Sequence, residues 1–301
     1  MKSKKEKSIQ FFSNIDMINC PICHEGLDVL SDYFICKNGH NYTISKKGVV
    51  CLLNTGNLKK NYIYDKNLFV FRRSFILNNF YTDIYNEIVY YINNYKNEFV
   101  NILDLGCGEG THDYLIASKL NKKFCFLGID YNKDAIELAT DYISEKVNFS
   151  VADVNNLPFK SESFDFIINI LSPYSSIEVQ RVLKKDGIFI KVIPDSEYLI
   201  QLRKKIGFNE YEKKEVVKHK VLNNFDLIRE IKVTKDYVLT DEQQQQLLNM
   251  TPLMKSKKAK ENNENISDIT IDLSILILRR KWYVIKLCKK NIFKKRFICY
   301  L

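Results

Sequence analysis

The sequence has 301 residues, a formal net charge of +10 and eight cysteines. This length can hold one sizeable α/β core and a small accessory module. No run of eighteen uncharged apolar residues occurs, so no transmembrane helix is predicted, and the basic start M-K-S-K-K-E-K lacks the apolar segment of a secretory signal. We therefore expect a cytoplasmic protein whose cysteines are thiols or metal ligands and not disulfides.

The basic charge favours a polyanionic partner such as nucleic acid. The chain is also crowded with Lys, Asn, Ile and Tyr, a composition that AT-rich genomes produce. Part of the charge then reflects composition and not a binding surface. Charge alone leaves nucleic-acid binding open.

The first motif along the chain is a set of potential metal ligands, Cys20, Cys23, Cys36 and His40. Their spacing, Cys-x2-Cys-x12-Cys-x3-His, is typical of a closed tetrahedral zinc site. Residues Val29–Ile35, between the two pairs, predict a short hairpin. Because four protein ligands leave no open position for a substrate, the zinc is expected to be structural, with one ion per chain. We predict a zinc-binding module over residues 1–56.

Two other residues near this motif are weaker candidates for the metal. His24 is the alternative fourth ligand, but it directly follows Cys23, which gives poor geometry. Cys51 lies in the apolar run G-V-V-C-L-L and is predicted to be a core residue.

The next segment, residues 57–98, is predicted to be a helical linker or lid. A polar stretch over 54–64 is followed by one or two helices over 65–95. Arg72 and Arg73 lie among aromatic residues there. Two interpretations stay open for these arginines: solvated positions on an amphipathic helix, or part of a lid over a cofactor or of an RNA-binding edge.

The segment Val100–Gly110, V-N-I-L-D-L-G-C-G-E-G, is the strongest motif in the sequence. Its aliphatic first half predicts a buried parallel strand. Gly106, Gly108 and Gly110 permit a tight turn and the close approach of a ligand. A helix over Thr111–Leu120 and a second strand over Phe124–Ile129 are predicted to follow.

The charge of this turn indicates which ligand it takes. Asp104 and Glu109 flank the glycines and disfavour a pyrophosphate, which needs unopposed N–H groups. A cationic nucleoside such as S-adenosylmethionine suits them better. Asp130, at the end of the second strand, is placed to bind a ribose hydroxyl pair. The turn together with Asp130 looks like motifs I and II of the Rossmann-like methyltransferases.

The combination of motifs resembles a particular family, the bacterial 23S rRNA (guanine-N1)-methyltransferases. The resemblance rests on C-P-I-C and C-K-N-G-H, on R-R-S-F followed by F-Y, and on the methyltransferase motifs. It runs from about Cys20 to about Gly207, with a weaker similarity at Met250–Pro252. It implies a zinc module joined to a Rossmann-like domain, over residues 99–301, that methylates a guanine in a hairpin of the large-subunit RNA.

The resemblance also implies roles for individual residues. Asp153 matches the acidic residue that receives the adenine amino group, although a turn cap explains it equally well. Tyr81 and Tyr198 match positions near the cofactor, with core packing as the rival explanation. The loop Ser172–Tyr174, and within it Pro173 and Tyr174, is the expected base pocket. The full expected cofactor-binding set is Tyr81, Asp104, Gly106, Gly108, Glu109, Gly110, Thr111, Asp130, Asp153 and Tyr198.

The remaining elements complete a methyltransferase sheet. Helices are predicted over Asn132–Lys146, Ile177–Leu183 and Asp241–Asn249, and Ser196 is expected to N-cap a further helix. Strands are predicted over Val147–Ala152, Phe164–Leu171 and Lys184–Pro194, with an antiparallel pair formed by Phe225–Val233 and Ile271–Leu278. A polar loop is predicted over 255–265. Two interpretations stay open for the basic tail over 279–301: with Trp282, Phe293 and Phe297 it grips RNA and stacks on bases, or it is a surface element or frayed tail. The resemblance gives no support for a role of this tail.

Three functions remain open from the sequence. The first is methylation of guanine N1 in 23S ribosomal RNA, with RNA and not a membrane as partner and a homodimer left undecided. The second is methylation of a small molecule by a protein with a structural zinc module. The third is RNA binding without catalysis. Asp153, Glu109 and Asp113 lie near the expected reaction centre, and none stands out as a general base.

Overall fold

The computed structural model describes residues 2–53, 64–208, 214–255 and 266–281. The helices are α1 (Lys4–Ser13), α2 (Lys66–Ile76), α3 (Thr82–Asn93), α4 (Thr111–Ala117), α5 (Lys133–Ala139), α6 (Ser176–Val182), α7 (Ile200–Lys205), α8 (Lys214–Asn224) and α9 (Asp241–Met250). The strands are β1 (Asp28–Leu30), β2 (Tyr33–Ile35), β3 (Asn41–Thr43), β4 (Val50–Cys51), β5 (Phe99–Leu105), β6 (Lys123–Asp130), β7 (Val147–Val151), β8 (Phe164–Ile170), β9 (Leu183–Pro194), β10 (Phe225–Val238) and β11 (Asp268–Arg280).

Within those ranges, eight strands form one mixed sheet in the order β10-β11-β9-β8-β5-β6-β7-β4. The strands from β9 to β4 run parallel, and β11 and β10 add an antiparallel edge. The chain passes from β5 to β6 on one side and resumes at β8 on the other. Such a switch point is where doubly wound sheets bind ligands, at the carboxyl ends of the strands. The predicted Rossmann-like α/β architecture is confirmed.

Side chains that alternate along the central strands enter two apolar cores, one on each face of the sheet. In β5, Ile102 packs in the core that contains Ile88 of α3. Its neighbour Leu103 packs in the core that contains Phe12 of α1. Both faces are therefore covered, which explains why neighbouring positions such as Ile102 and Leu103 are both apolar.

The N-terminal segment is joined to the main sheet. Val50 of β4 pairs in parallel with Ser150 of β7. Ser8 of α1 is fully buried, and its hydroxyl donates to the Gly48 carbonyl at 2.9 Å and accepts from the Asn148 amide at 2.9 Å. Residues 2–53 thus contain both the cysteine loops and an edge strand of the sheet.

The cysteine loops enclose a small sheet in the order β1-β2-β3. The hairpin predicted over Val29–Ile35 is confirmed, with Leu30 opposite Tyr33 and with Ser31 in the left-handed region at φ 55°. The third strand extends this hairpin through pairing of Phe34 with Tyr42.

Two helices end earlier than the sequence predicts. The predicted helices Thr111–Leu120 and Asn132–Lys146 stop at Ala117 and Ala139. At the end of α5 the Leu138 carbonyl accepts a hydrogen bond from Arg73 Nη2 at 2.6 Å, in addition to one from the Thr140 N–H. A short 3-10 turn over Thr140–Tyr142 follows instead.

The prediction that Ser196 caps a helix is wrong. The Asp195 carboxylate accepts the Ser196 N–H at 2.7 Å, and a turn occupies the next residues. Helix α7 begins at Ile200, after Leu199 in the left-handed region at φ 53°. The Ser196 N–H is therefore bonded to the Asp195 carboxylate, and helix α7 starts later in the chain.

Several predicted segments lie outside the described residues. These are the polar linker over 54–63, the polar loop over 256–265 and the basic tail over 282–301, which contains Trp282, Phe293 and Phe297. Among the residues that are described, no helix combines the length and apolar character of a membrane span.

The buried contact between α1 and the sheet yields a stability prediction. Ser8→Ala should lower the free energy of unfolding by about 1–3 kcal/mol, because it leaves buried partners on Gly48 and Asn148 unsatisfied. Urea denaturation of the full chain measures this effect. Ser13→Ala, at an exposed position of the same helix, is the control and should change little. Equal losses in the free energy of unfolding for both variants would contradict this account of the contact between α1 and the sheet.

Candidate cofactor site and cysteine cluster

The glycine turn lies at the carboxyl end of β5, beside the switch point. The N–H groups of Gly106 and Cys107 donate to the Ile129 carbonyl at 2.8 and 3.0 Å, which fastens the turn to the end of β6. Gly106, Gly108 and Gly110 all have positive φ, between 58° and 78°. Residues with side chains rarely adopt this conformation, so the glycines are required by the path of the backbone.

The three glycines face different surroundings. A Cβ on Gly106 would lie 2.6 Å from Ser172 Oγ, and one on Gly110 would lie 2.8 Å from the Phe149 ring. A Cβ on Gly108 would meet nothing closer than 3.8 Å, where Arg72 and Phe69 approach. Gly108 therefore borders the open space of the turn, while the other two glycines serve close packing within the protein.

Asp130 forms the other side of this space. Its carboxylate accepts the Gly108 N–H at 3.0 Å through Oδ2 and the Asn132 N–H at 2.7 Å through Oδ1. Burial raises the pKa of Asp130, and these two N–H groups act in the opposite direction. The residue lies at the end of β6, as predicted, and its contact with a ribose stays a prediction.

Asp104, Glu109 and Asp113 are buried beside the turn. Burial is the largest cause that raises the pKa of each, to about 6 for Asp104 and well above the ordinary range for Asp113. When all three are ionised, five of their oxygens lack a hydrogen-bond donor in the described part of the chain. Buried carboxylates are costly unless they are protonated or face a cation, so this cluster fits a positively charged ligand.

Asp113 is a functional candidate to which the sequence analysis assigned no role. It named the residue only as one of three acids near the expected reaction centre. An acid in the first turn of a helix usually complements the helix dipole, which gives no reason to expect burial. Here its carboxyl group faces that of Asp104 closely enough for the pair to share a proton. Thr111, from the predicted set, begins the same helix, and its hydroxyl lies 3.3 Å from that of Tyr142.

A network of buried and half-buried rings surrounds His112, two residues after the glycine turn. The hydroxyls of Tyr81 and Tyr198 lie 3.1 Å apart, which brings together two residues of the predicted cofactor set. The Tyr85 hydroxyl lies 2.7 Å from His112 Nδ1. Burial lowers the pKa of His112 to about 3, so the ring is neutral. Sequence reasoning missed Tyr85 and His112, although the four-residue spacing of the tyrosines was a signal that both face the same way.

Two buried polar residues, Asn169 and Lys191, support the expected base-pocket loop. The sequence analysis did not single them out. The Asn169 amide donates to the Leu105 carbonyl at 2.6 Å, and the Lys191 ammonium donates to the Ser172 carbonyl at 2.8 Å. The Tyr174 ring is itself buried, 5.3 Å from that of Phe189. The structure thus packs Tyr174 as a core residue.

Pro173 and Asp153 occupy the predicted loops with local partners. The Pro173 carbonyl accepts from Asn169 at 3.3 Å. The half-buried Asp153 carboxylate accepts the Asn155 N–H at 2.9 Å, which is the turn-cap geometry. Contact of Asp153 with an adenine amino group remains a prediction.

Cys20, Cys23, Cys36 and His40 converge, with their ligand atoms all within 4.8 Å of one another. Cys23 and Cys36 have Sγ atoms 3.6 Å apart, and His40 Nδ1 lies 3.4 Å from Cys36 Sγ. A tetrahedral zinc ion with bonds of about 2.3 Å gives sulfur–sulfur distances of roughly 3.8 Å. The four residues therefore fit such an ion, and in the described chain His24 is not part of the group.

The cysteine cluster contacts the main domain next to Asp153. The Asn156 amide donates to the Pro21 carbonyl at 3.0 Å, and the Asn19 N–H donates to the Pro158 carbonyl at 2.9 Å. The first cysteine pair is therefore placed against the loop that follows β7.

Comparison with known proteins agrees with this architecture. The family described as "Methyltransferase domain" matches residues 96–257. A Bacillus subtilis protein, YxjB, named as a candidate 23S rRNA (guanine-N(1)-)-methyltransferase, is 33% identical over 279 residues, which span 88% of this chain and 97% of the relative.

Two further relatives are more distant. A Streptomyces fradiae protein named 23S rRNA (guanine(748)-N(1))-methyltransferase is 22% identical and covers 63% of this chain and 68% of its own length. A human mitochondrial protein named as an arginine hydroxylase, NDUFAF5, is 32% identical over 37% of this chain and 33% of its own length. Similarity over about a third of each chain does not by itself name the reaction.

The raised pKa of Asp113 yields a pH prediction. When folding raises the pKa of an acid, the folded protein loses stability as the pH increases. The loss begins at the pKa of the acid in the unfolded chain, near 4, and continues up to its pKa in the folded protein. Asp113→Asn removes this penalty. The variant should gain stability relative to the wild type between pH 5 and pH 8, as measured by urea denaturation at both values. A difference that does not grow with pH would show that Asp113 is ionised in the folded protein.

Proposed function

The chain belongs to the family of 23S rRNA (guanine-N1)-methyltransferases and is a methyltransferase dependent on S-adenosylmethionine, and on this premise we propose that it methylates N1 of a guanine in a hairpin of 23S ribosomal RNA. The observation that carries the proposal is the acid-lined glycine turn, open only at Gly108, in a chain that resembles YxjB over 88% of its length.

The turn offers distinct groups to distinct parts of the cofactor. When bound, S-adenosylmethionine supplies an electrophilic methyl group on a positively charged sulfur. Asp130 is placed for the ribose hydroxyls, and Gly108 admits the ligand to the backbone. Asp104 and Glu109 supply the negative charge that a sulfonium and an ammonium require. Tyr81 and Tyr198 exclude water from one end.

The loop after β8 is the proposed site of the target base. Guanine N1 lies on the pairing edge, so the base has to leave its stack before it can attack. Ser172 packs against Gly106, because a Cβ on that glycine would overlap its hydroxyl. The loop and the cofactor turn are therefore in direct contact. Transfer of a methyl group is an in-line displacement, and this rigid contact supplies the positioning on which it depends.

We propose that the cysteine cluster holds one structural zinc ion. All four positions are taken by protein ligands, so the ion has no place for substrate. The Tyr42 hydroxyl lies 3.1 Å from Cys20 Sγ and orients that ligand from outside the site. The cluster then presents a second surface to RNA beside the loop that follows β7, which a hairpin-specific enzyme requires in addition to its base pocket.

The substrate assignment is tested by transfer of tritium from labelled S-adenosylmethionine to unmodified 23S ribosomal RNA. The wild type should label the RNA, and primer extension should stop next to a single guanine. Gly108→Val should abolish labelling and cofactor binding, because the branched side chain enters the open space of the turn. Gly26→Val is the matched control, since a Cβ there meets no atom within 4 Å, and it should bind the cofactor normally.

Two results would contradict this assignment. Labelling of free guanosine as efficient as that of RNA would indicate a small-molecule enzyme. Binding of RNA with no transfer by the wild type, although cofactor binds, would indicate an RNA-binding protein without this activity.

The zinc proposal predicts one zinc per chain by elemental analysis of protein purified without chelator. Cys20→Ser should lose the ion and most RNA methylation, while calorimetry shows retained affinity for S-adenosylmethionine. Cys51→Ser, outside the cluster, should keep its zinc. Wild-type protein without zinc, or undiminished RNA methylation by the zinc-free variant, would refute the structural role.

A further inference from the structure

Arg72 and Arg73 are adjacent in α2, yet their side chains have different surroundings. Arg73 donates to the Asp141 carboxylate at 2.8 Å and to the Leu138 carbonyl at 2.6 Å, and its guanidinium lies 4.9 Å from the centre of the Tyr142 ring. These contacts hold α2 against α5 and the turn after it. Arg73 also donates to the Glu109 carbonyl at 3.4 Å, so it holds α2 against the backbone of the glycine turn as well, and its role is structural.

Arg72 points instead to the open side of the glycine turn. Its Nη1 lies 3.8 Å from the point where a Cβ on Gly108 would stand, and its guanidinium lies 5.4 Å from the centre of the Phe69 ring. Across the described ranges, its side chain makes no hydrogen bond and no ion pair. A guanidinium carries five N–H donors, and here a half-buried one presents them to a space that a ligand is expected to fill.

The charges around this space have a definite arrangement. Burial raises the pKa of Glu109 and of Asp130, and the positive charge of Arg72 opposes burial in both cases. Arg72 is thus near both acids without being bound to either. A ligand at Gly108 meets carboxylates on one side and a guanidinium on another. That pattern matches a zwitterion and not a simple cation.

We propose that Arg72 binds the α-carboxylate of the methionine part of S-adenosylmethionine, a role that rests on the proposed cofactor. The cofactor carries an ammonium and a carboxylate on the same carbon, so the acids of the turn and Arg72 act on neighbouring groups. A planar guanidinium binds a carboxylate through two parallel hydrogen bonds, which orients the ligand as well as holding it. The position of Arg72 directly over Gly108 favours the cofactor as its partner over an RNA phosphate.

The test compares two ligands that differ only in the carboxylate. Calorimetry measures binding of S-adenosylmethionine and of decarboxylated S-adenosylmethionine to the full-length wild type and to Arg72→Gln. The substitution should weaken S-adenosylmethionine about 10-fold to 100-fold, the usual loss for a hydrogen-bonded charge pair, and the decarboxylated ligand less than about 3-fold. Arg72→Lys, which keeps the charge but not the paired donors, should fall between these limits.

Arg73→Gln is the matched control. It should lower the thermal midpoint, because α2 loses its contacts to α5, and leave the ratio of the two affinities unchanged. Equal weakening of both ligands by Arg72→Gln would overturn the proposal. So would unchanged cofactor affinity combined with weaker binding of 23S ribosomal RNA, which would assign Arg72 to a phosphate. A wild type that binds neither ligand would overturn the cofactor assignment as well.

Discussion

The burial of acidic side chains at the end of β5 is the constraint on which the rest of the site depends. Carboxylates removed from water need a proton, a donor or a cation. Burial and the neighbouring Asp104 raise the pKa of Asp113, which favours its protonated form, and the positive charge of Lys191 opposes the rise in the pKa of Asp104. Burial raises the pKa of Glu109, and the charge of Arg72 together with the Glu109 N–H and the Thr111 hydroxyl opposes that rise. The turn is thus a region of buried acids whose ionised forms a positively charged ligand stabilises.

This region works only because its framework is rigid. Asn169 joins the last carbonyl of β5 to the loop after β8, and Lys191 fixes that loop from the next strand. Gly106 and Gly110 have no space for a side chain, so the turn between them cannot relax without moving its neighbours. The glycine turn, proposed for the cofactor, and the loop after β8, proposed for the target base, are therefore parts of one packed unit. Precise positioning of reacting groups requires such an arrangement.

The sequence predicted what local patterns determine. Aliphatic runs located the strands, and spacing located Asp130 and the four cysteine-cluster residues. It could not predict features set by contacts between distant segments. Arg72 and Arg73 are indistinguishable by pattern, and a rotation of about 100° along a helix gives them different partners. The end of α5 contacts Arg73, 65 residues away, and no local pattern announces that contact. Lys191 and Asp113 are charged residues in ordinary positions, and only packing of the sheet reveals that they are buried.

The parallel pairing of β4 with β7 has a consequence for biosynthesis. Val50 meets its partner Ser150 one hundred residues later in the chain. Chains are synthesised from the N-terminus, and a contact across so long a separation forms only after both segments have left the ribosome. The cysteine loops are complete by residue 40, so they can close early on short-range contacts. The contacts of α1 and β4 with β7, by contrast, need the strands of the sheet, so the N-terminal segment is completed only when the rest of the domain is present.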